Sequence, residues 1–166
     1  TRFQRSARRL ALPELSVDDF LTGIDRLVDV DRDWVPRGAE QSLYLRPFMF
    51  AHSAFLAVKP STSVTYAVIA SPSGAYFGGS GVQPVRIWVS RDFSRAAPGG
   101  TGFAKCGGNY AASMVAQQEA EAAGCSQVAF LDAVEHRYVE ELGGMNLFAV
   151  TTDGRVITPA LTDSIL

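Results

Sequence analysis

The stretch SPSGAYFGGSG, residues 71–81, constrains this chain more than any other feature. Four glycines, three serines and a proline crowd into it, a composition that sustains neither a helix nor a central strand. A chain of 166 residues interrupted near its middle in this way reads as two small units and a connector. The expected division is a small N-terminal α/β domain over 1–73, a connector over 74–82, and a second domain from 83 to 166. Two aromatics, Tyr76 and Phe77, stand inside the connector. Aromatics there pack against something, which predicts a connector lying over a site.

Each half carries its own pattern. Residues 3–11 predict a short helix exposing Arg5, Arg8 and Arg9, ended by Pro13. Ser16 is a candidate N-cap with Asp19 three residues on, a variant of the capping box. Phe20, Leu21, Ile24, Leu27 and Val28 then recur at helical spacing and form one apolar face. SLYLRPFMF reads as a strand in which Tyr44 and Arg46 share one face and Leu43 and Leu45 the other. SVTYAVIA is a second strand after the turn-forming KPSTS. In the second half PVRIWVS predicts a strand and RAAPGGTGFAKCGG a glycine-rich loop. Asn109 is the expected N-cap of a helix over 110–123 that Gly124 terminates. QVAFLD reads as a buried strand, VEHRYVEELGG as a short strand and turn, and NLFAVTTDGRVITP as a hairpin turning at Asp153-Gly154.

Bulk properties narrow the partners. A net charge of −2 gives no electrostatic reason to expect nucleic acid or an acidic membrane surface. No apolar run approaches the roughly 18 residues that span a bilayer. Cys106 and Cys125 form no CxxC pair and read as buried, reduced thiols of a cytoplasmic protein. His52 and His136 are the only histidines, which argues against a histidine-rich metal centre. The chain opens on Thr1 without a methionine, and TPALTDSIL ends on apolar residues, so it reads as an interior piece of a longer chain.

Lys59 and Lys105 are the only lysines against thirteen arginines. Lys105 stands between Ala104 and Cys106, beside Gly107-Gly108, where backbone can approach a ligand closely. Small apolar neighbours disfavour an ammonium and lower its pKa. A neutral lysine amine is what forms an imine with a carbonyl compound. GGTGFAK also has some look of a phosphate loop. It lacks the spacing G-x-x-x-x-G-K-[ST], so a nucleoside-triphosphate site is poorly supported.

KCGGNYAASMVAQQEAEAAGCSQVAFLDAVEHRYVEELGGMNLF resembles the cofactor region of the branched-chain amino acid aminotransferases, members of the class IV fold of pyridoxal-phosphate enzymes. SLYLRPFMFAHSAFLAVKPS, SPSGAYFGG and RFQRSARRLALPEL resemble the same family's small domain, connector and opening segment. The resemblance implies an α+β fold: a small α/β domain plus the first part of the larger cofactor domain. It implies that Lys105 holds pyridoxal 5'-phosphate covalently and shuttles a proton between two carbon positions. Tyr110 is then the donor to the cofactor's phenolic oxygen and Glu141 the carboxylate that pairs with its pyridine nitrogen. Such a carboxylate keeps the nitrogen protonated, so that the ring accepts electrons. Arg2 falls where relatives grip the phosphate. Gly144 stands where some members place a phosphate-contacting threonine.

Tyr44 and Arg46 correspond to a pair lining the substrate pocket, the arginine receiving the distal carboxylate of 2-oxoglutarate or glutamate. Tyr76 corresponds to the connector aromatic that shields an apolar substrate. Leu56 and Val58 match a loop contributed across a dimer interface, which implies a homodimer or higher homo-oligomer. The activity implied is transamination between leucine, isoleucine or valine and 2-oxoglutarate. The alternatives are another class IV chemistry (D-amino acid transamination or aminodeoxychorismate cleavage) and a non-catalytic fragment. The family's later phosphate-binding and carboxylate-binding loops lie beyond a segment like SIL, where this chain stops.

Overall fold

Thr1 starts the first helix through a full capping box. Its Oγ1 accepts from the Gln4 N–H at 3.3 Å, and its terminal amine donates to Gln4 Oε1 at 3.1 Å. The helix, α1, runs Arg2–Arg9. It stops two residues before the expected end because Ala11 turns left-handed at φ 52° and the Leu12 N–H reaches back to the Ala7 carbonyl at 2.9 Å. Helix α2, Val17–Val30, begins where expected: Ser16 Oγ accepts from the Asp19 N–H at 3.0 Å. Of its apolar stripe, Phe20, Ile24, Leu27 and Val28 are half-buried, while Leu21 stays exposed. The computed structural model describes residues 1–74 and 83–166; Tyr76 and the connector around it lie outside the described residues.

Strands β1, Ser42–Ala51, and β2, Val64–Ser73, form an antiparallel pair in unbroken register from Ser42 opposite Ser73 to Ala51 opposite Val64. β2 therefore extends through Ser71, Pro72 and Ser73, the first residues of the glycine-rich stretch. Proline is tolerated because each strand of a two-stranded sheet has a free edge. Leu43, Leu45, Pro47 and Met49 are half-buried, and Tyr44, Arg46, Phe48 and Phe50 face solvent, as strand alternation requires. Three aromatics fasten the helices to the sheet. Phe3 of α1, Phe20 of α2 and Tyr66 of β2 have ring centroids 5.1–5.8 Å apart, and Tyr66 Oη donates to the Phe20 carbonyl at 3.1 Å. Gly23 is required there, since a Cβ would sit 2.9 Å from the Tyr66 ring.

The chain divides after Gln83 into two compact units. In the second, β3 (Ile87–Ser90) pairs parallel with β4 (Gln127–Leu131), and β4 pairs antiparallel with β5 (Val139–Leu142). A parallel pair needs a long crossover, which is why the glycine-rich loop and two helices lie between β3 and β4. Ala116 and Ala120, one turn apart on α4 (Met114–Ala122), close the core over Val128 and Phe130 of β4. Gly124 ends that helix at φ 70°, as expected. The hairpin of β6 (Ala149–Val150) and β7 (Val156–Ile157) turns through Asp153 and Gly154, the latter at φ 81°.

The expected single helix over 110–123 is two helices. α3 covers Gly107–Ala111, and the chain breaks before α4. Ser113 is the cause: its Oγ donates to the Tyr110 carbonyl at 2.7 Å and competes with the helical ladder. Asn109 is not the N-cap. Cys106 occupies that position, and Asn109 lies buried inside α3 with its side chain turned to other work.

After β4, Asp132 organises the turn into β5. Its carboxylate accepts from the backbone N–H groups of Tyr138, Glu135, Arg137 and Val134 at 2.6–3.2 Å. These donors, Tyr138 foremost, hold the carboxyl well below the ordinary aspartate range. A folded value below the unfolded value of about 3.9 means stability that is present above it and lost as pH falls toward the folded value. Asp132→Asn should therefore lower the melting temperature at neutral pH and flatten its decline in acid. Thermal melts from about pH 7 to about pH 2 check both parts.

Candidate active site

The loop before α3 is shaped by close backbone approach. A Cβ on Gly102 would lie 2.5–2.6 Å from the Ser164 backbone, so only glycine lets residues 162–165 seat against it. The Phe103 N–H donates to the Asp163 carbonyl at 3.0 Å, completing that contact. Asn109 pins the loop from the helix side. Its Nδ2 donates to the carbonyls of Thr101 and Ala104, each at 2.8 Å, and its Oδ1 accepts from Thr101 Oγ1 at 2.7 Å. Three hydrogen bonds to a buried amide fix the backbone on both sides of Phe103 and immediately before Lys105.

From this base Lys105 projects into solvent; its small neighbours do not bury it, contrary to the sequence expectation. Ala104 takes the buried place beside it. Lys105 Nζ donates to Tyr110 Oη at 2.5 Å and lies 4.7 Å from the Tyr110 ring centroid. The amine and the phenol, each assigned by the resemblance to the cofactor, are thus in contact with one another. A Cβ on Gly107, Gly108 or Gly144 would meet no atom within 4 Å, so the space at each of these glycines is open.

Glu141 is the buried member. It sits on β5 with only 11% of its side chain exposed and forms an ion pair with Arg95, itself 7% exposed. Burial pushes the Glu141 carboxyl above its ordinary value; Arg95, and more weakly Lys105, oppose the shift, while Glu140 adds to it. Arg95 Nη2 also donates to the Ser164 carbonyl at 2.5 Å, and Ser164 Oγ donates to Glu140 Oε1 at 2.8 Å. Sequence reasoning missed Arg95, Asn109 and Ser164. An arginine just ahead of a glycine-rich loop was a signal for Arg95, but nothing in the sequence separates a buried guanidinium from a solvated one.

In the first unit Tyr44 and Arg46 are brought together on the exposed face of β1. Arg46 Nη2 donates to Tyr44 Oη at 3.2 Å, and its guanidinium carbon lies 5.3 Å from the ring centroid. Leu56 and Val58 are fully exposed on the loop between β1 and β2. Ser61 closes the base of that loop: its Oγ donates to the Ser63 carbonyl at 2.6 Å and lies 2.8 Å from Ser53 Oγ. Arg2 is exposed in the first turn of α1.

The backbone defines the class first. The chain superposes with a TM-score of 0.78 and 30% identity on the branched-chain amino acid aminotransferase of Escherichia coli, covering 99% of this chain and 52% of that one. A second solved branched-chain amino acid aminotransferase, in complex with pyridoxamine 5'-phosphate, gives 0.77 at 29% identity, with the same coverage. The α+β chain belongs to the amino-transferase class IV family, whose model matches residues 1–166. A probable branched-chain-amino-acid aminotransferase of Streptomyces coelicolor is 59% identical over 99% of this chain and 45% of its own length. The branched-chain-amino-acid aminotransferase of Mycolicibacterium smegmatis is 55% identical, over 99% and 46%. The chain thus spans about half the length of the curated relatives it matches.

Proposed function

We propose that this chain is the part of a branched-chain amino acid aminotransferase that supplies the amine, the phenol and the ring-nitrogen partner for pyridoxal 5'-phosphate. The observation that carries the reading is the contact of Lys105 Nζ with Tyr110 Oη at 2.5 Å, in the same compact unit as the buried carboxylate of Glu141. These residues suit the group chemically: an accessible amine for an aldehyde, a hydroxyl for a phenolate, and a carboxylate for a pyridinium. The open space at Gly107 and Gly108, directly after Lys105, leaves room for a group bound to the amine. When bound, the cofactor withdraws electrons from the substrate carbon that loses its proton.

The chain's own residues do the rest. Lys105 Nζ takes the α-proton and returns it, and Tyr110 Oη holds the amine in place and donates to the cofactor's oxygen. Glu141 keeps a proton on the ring nitrogen, and Arg2 is the guanidinium assigned to the phosphate. Tyr44 and Arg46 form the substrate pair. The arginine meets the distal carboxylate of 2-oxoglutarate or glutamate, and can turn aside for leucine, isoleucine or valine without leaving a buried charge unpaired. Tyr76 shields the apolar substrate. Leu56 and Val58, apolar and fully exposed at the tip of a tied loop, suit burial against a second copy in a homodimer or higher homo-oligomer acting in the cytoplasm.

The test is titration of the protein with pyridoxal phosphate, borohydride reduction and peptide mapping, followed by assays with leucine and with D-alanine as amino donor. The reading expects a single reduced adduct on Lys105 and turnover with leucine. An adduct spread onto Lys59, or a preference for D-alanine, overturns it.

A further inference from the structure

We propose that Arg95 is a positioning residue of this site: its buried guanidinium orients the Glu141 carboxylate through an ion pair and ties it to the 162–165 segment through the Ser164 carbonyl. Its importance for catalysis rests on the role proposed for Glu141, whereas the ion pair is a property of the chain alone.

Four charged groups bear on this place. Arg95 and Lys105 come from the loop ahead of α3, Glu141 and Glu140 from β5. Glu140 accepts from Ser164 Oγ at 2.8 Å and works against a charge on Glu141. The two cations support that charge, but they are not equivalent. Lys105 is exposed, and its proposed work requires it to give up its proton. A guanidinium does not deprotonate in a protein. Whenever the Lys105 amine is neutral, Arg95 is the permanent cation left in contact with Glu141. A carboxylate with 11% exposure cannot rely on water for the same service.

Geometry adds a second function. Arg95 Nη2 lies against the Glu141 carboxylate in an ion pair and donates to the Ser164 carbonyl, so one guanidinium nitrogen meets two segments. The carbonyl belongs to Ser164, whose backbone fills the space that Gly102 leaves open. The same guanidinium therefore joins the ring-nitrogen partner on β5 to the segment that braces the Lys105 loop.

The experiment follows the Glu141 carboxyl by carbon-13 NMR across a pH titration, without added cofactor, in wild type, Arg95→Gln and Arg95→Lys. The proposal expects the Arg95→Gln midpoint to move to higher pH by about one pH unit or more, and Arg95→Lys to stay close to wild type. An unchanged midpoint in Arg95→Gln overturns it. Denaturant unfolding of Arg95→Gln in wild-type and Glu141→Gln backgrounds provides an independent check. The loss in folding equilibrium constant should be about tenfold smaller once Glu141 is already neutral. An equal loss in both backgrounds makes Arg95 a packing residue and also overturns the proposal. With cofactor present, the acid limb of kcat/KM should move with the NMR midpoint, which loss of packing alone would not produce. A shifted midpoint with no adduct on Lys105 would instead retain the ion pair and refute the functional reading.

Discussion

Lys105→Ala should lose transamination by a factor on the order of 10⁴ or more in kcat, over 5 kcal/mol or so of barrier, while folding normally. Both halves of the expectation come from the same geometry. Lys105 is exposed and its Nζ contacts the Tyr110 hydroxyl and ring at the surface, so its removal opens no cavity. The loop keeps its course because Asn109 and Gly102 hold it, not Lys105. The amine, however, is the only group here that can both bond an aldehyde and carry a proton between carbons. Lys105→Arg sharpens the test. It preserves a cation beside Tyr110 and Glu141 but cannot become a neutral nucleophile, so it should be as inactive as the alanine variant. Activity in Lys105→Arg would mean that the charge matters and the nucleophile does not. Cofactor binding without a reducible adduct, read by absorbance and peptide mass, completes the expected result.

The sequence was most legible where the physics is local. Ser16 caps α2 because a hydroxyl three residues before a free N–H is a short-range arrangement, and Tyr44 lies beside Arg46 because alternation along a strand leaves no choice. Gly124 and Gly154 announce left-handed backbone in the same way. What eluded sequence reasoning depends on contacts between distant segments. Asn109 has the composition of an N-cap, yet its amide is spent on Thr101 and Ala104, and Cys106 starts the helix without a side-chain cap. Ser113 splits the helix through a bond that propensity alone does not foresee. Lys105 sits among small residues but outside them, because the buried position falls to Ala104. The candidate site positions came from resemblance to a family; the contacts of Arg95, Asn109 and Ser164 around them are visible only once the chain is folded.

Glu141→Ala should be costly twice over, and the two costs separate. Removing the carboxylate leaves the Arg95 guanidinium buried and uncompensated. Breaking one side of such a pair typically costs about 3–5 kcal/mol, far more than the intact pair contributes. Glu141→Gln keeps the volume and an acceptor oxygen for Arg95, so it should fold closer to wild type. It cannot keep a proton on a pyridine nitrogen, and turnover should fall on the order of 100-fold, about 2.7 kcal/mol of barrier. The pH dependence of stability discriminates further. Burial holds the Glu141 carboxyl above its ordinary value, so between the unfolded and folded values the native chain binds a proton that the unfolded chain has released. Its contribution to stability is therefore full below the unfolded value and lost as pH rises through the folded one. Glu141→Gln removes that slope and leaves the opposite slope from Asp132 in place. Chemical denaturation at several pH values measures this directly. A Glu141→Ala protein as stable as wild type would mean that Arg95 is solvated or paired elsewhere once the carboxylate is gone, and the buried charge would then not require Glu141 as its partner.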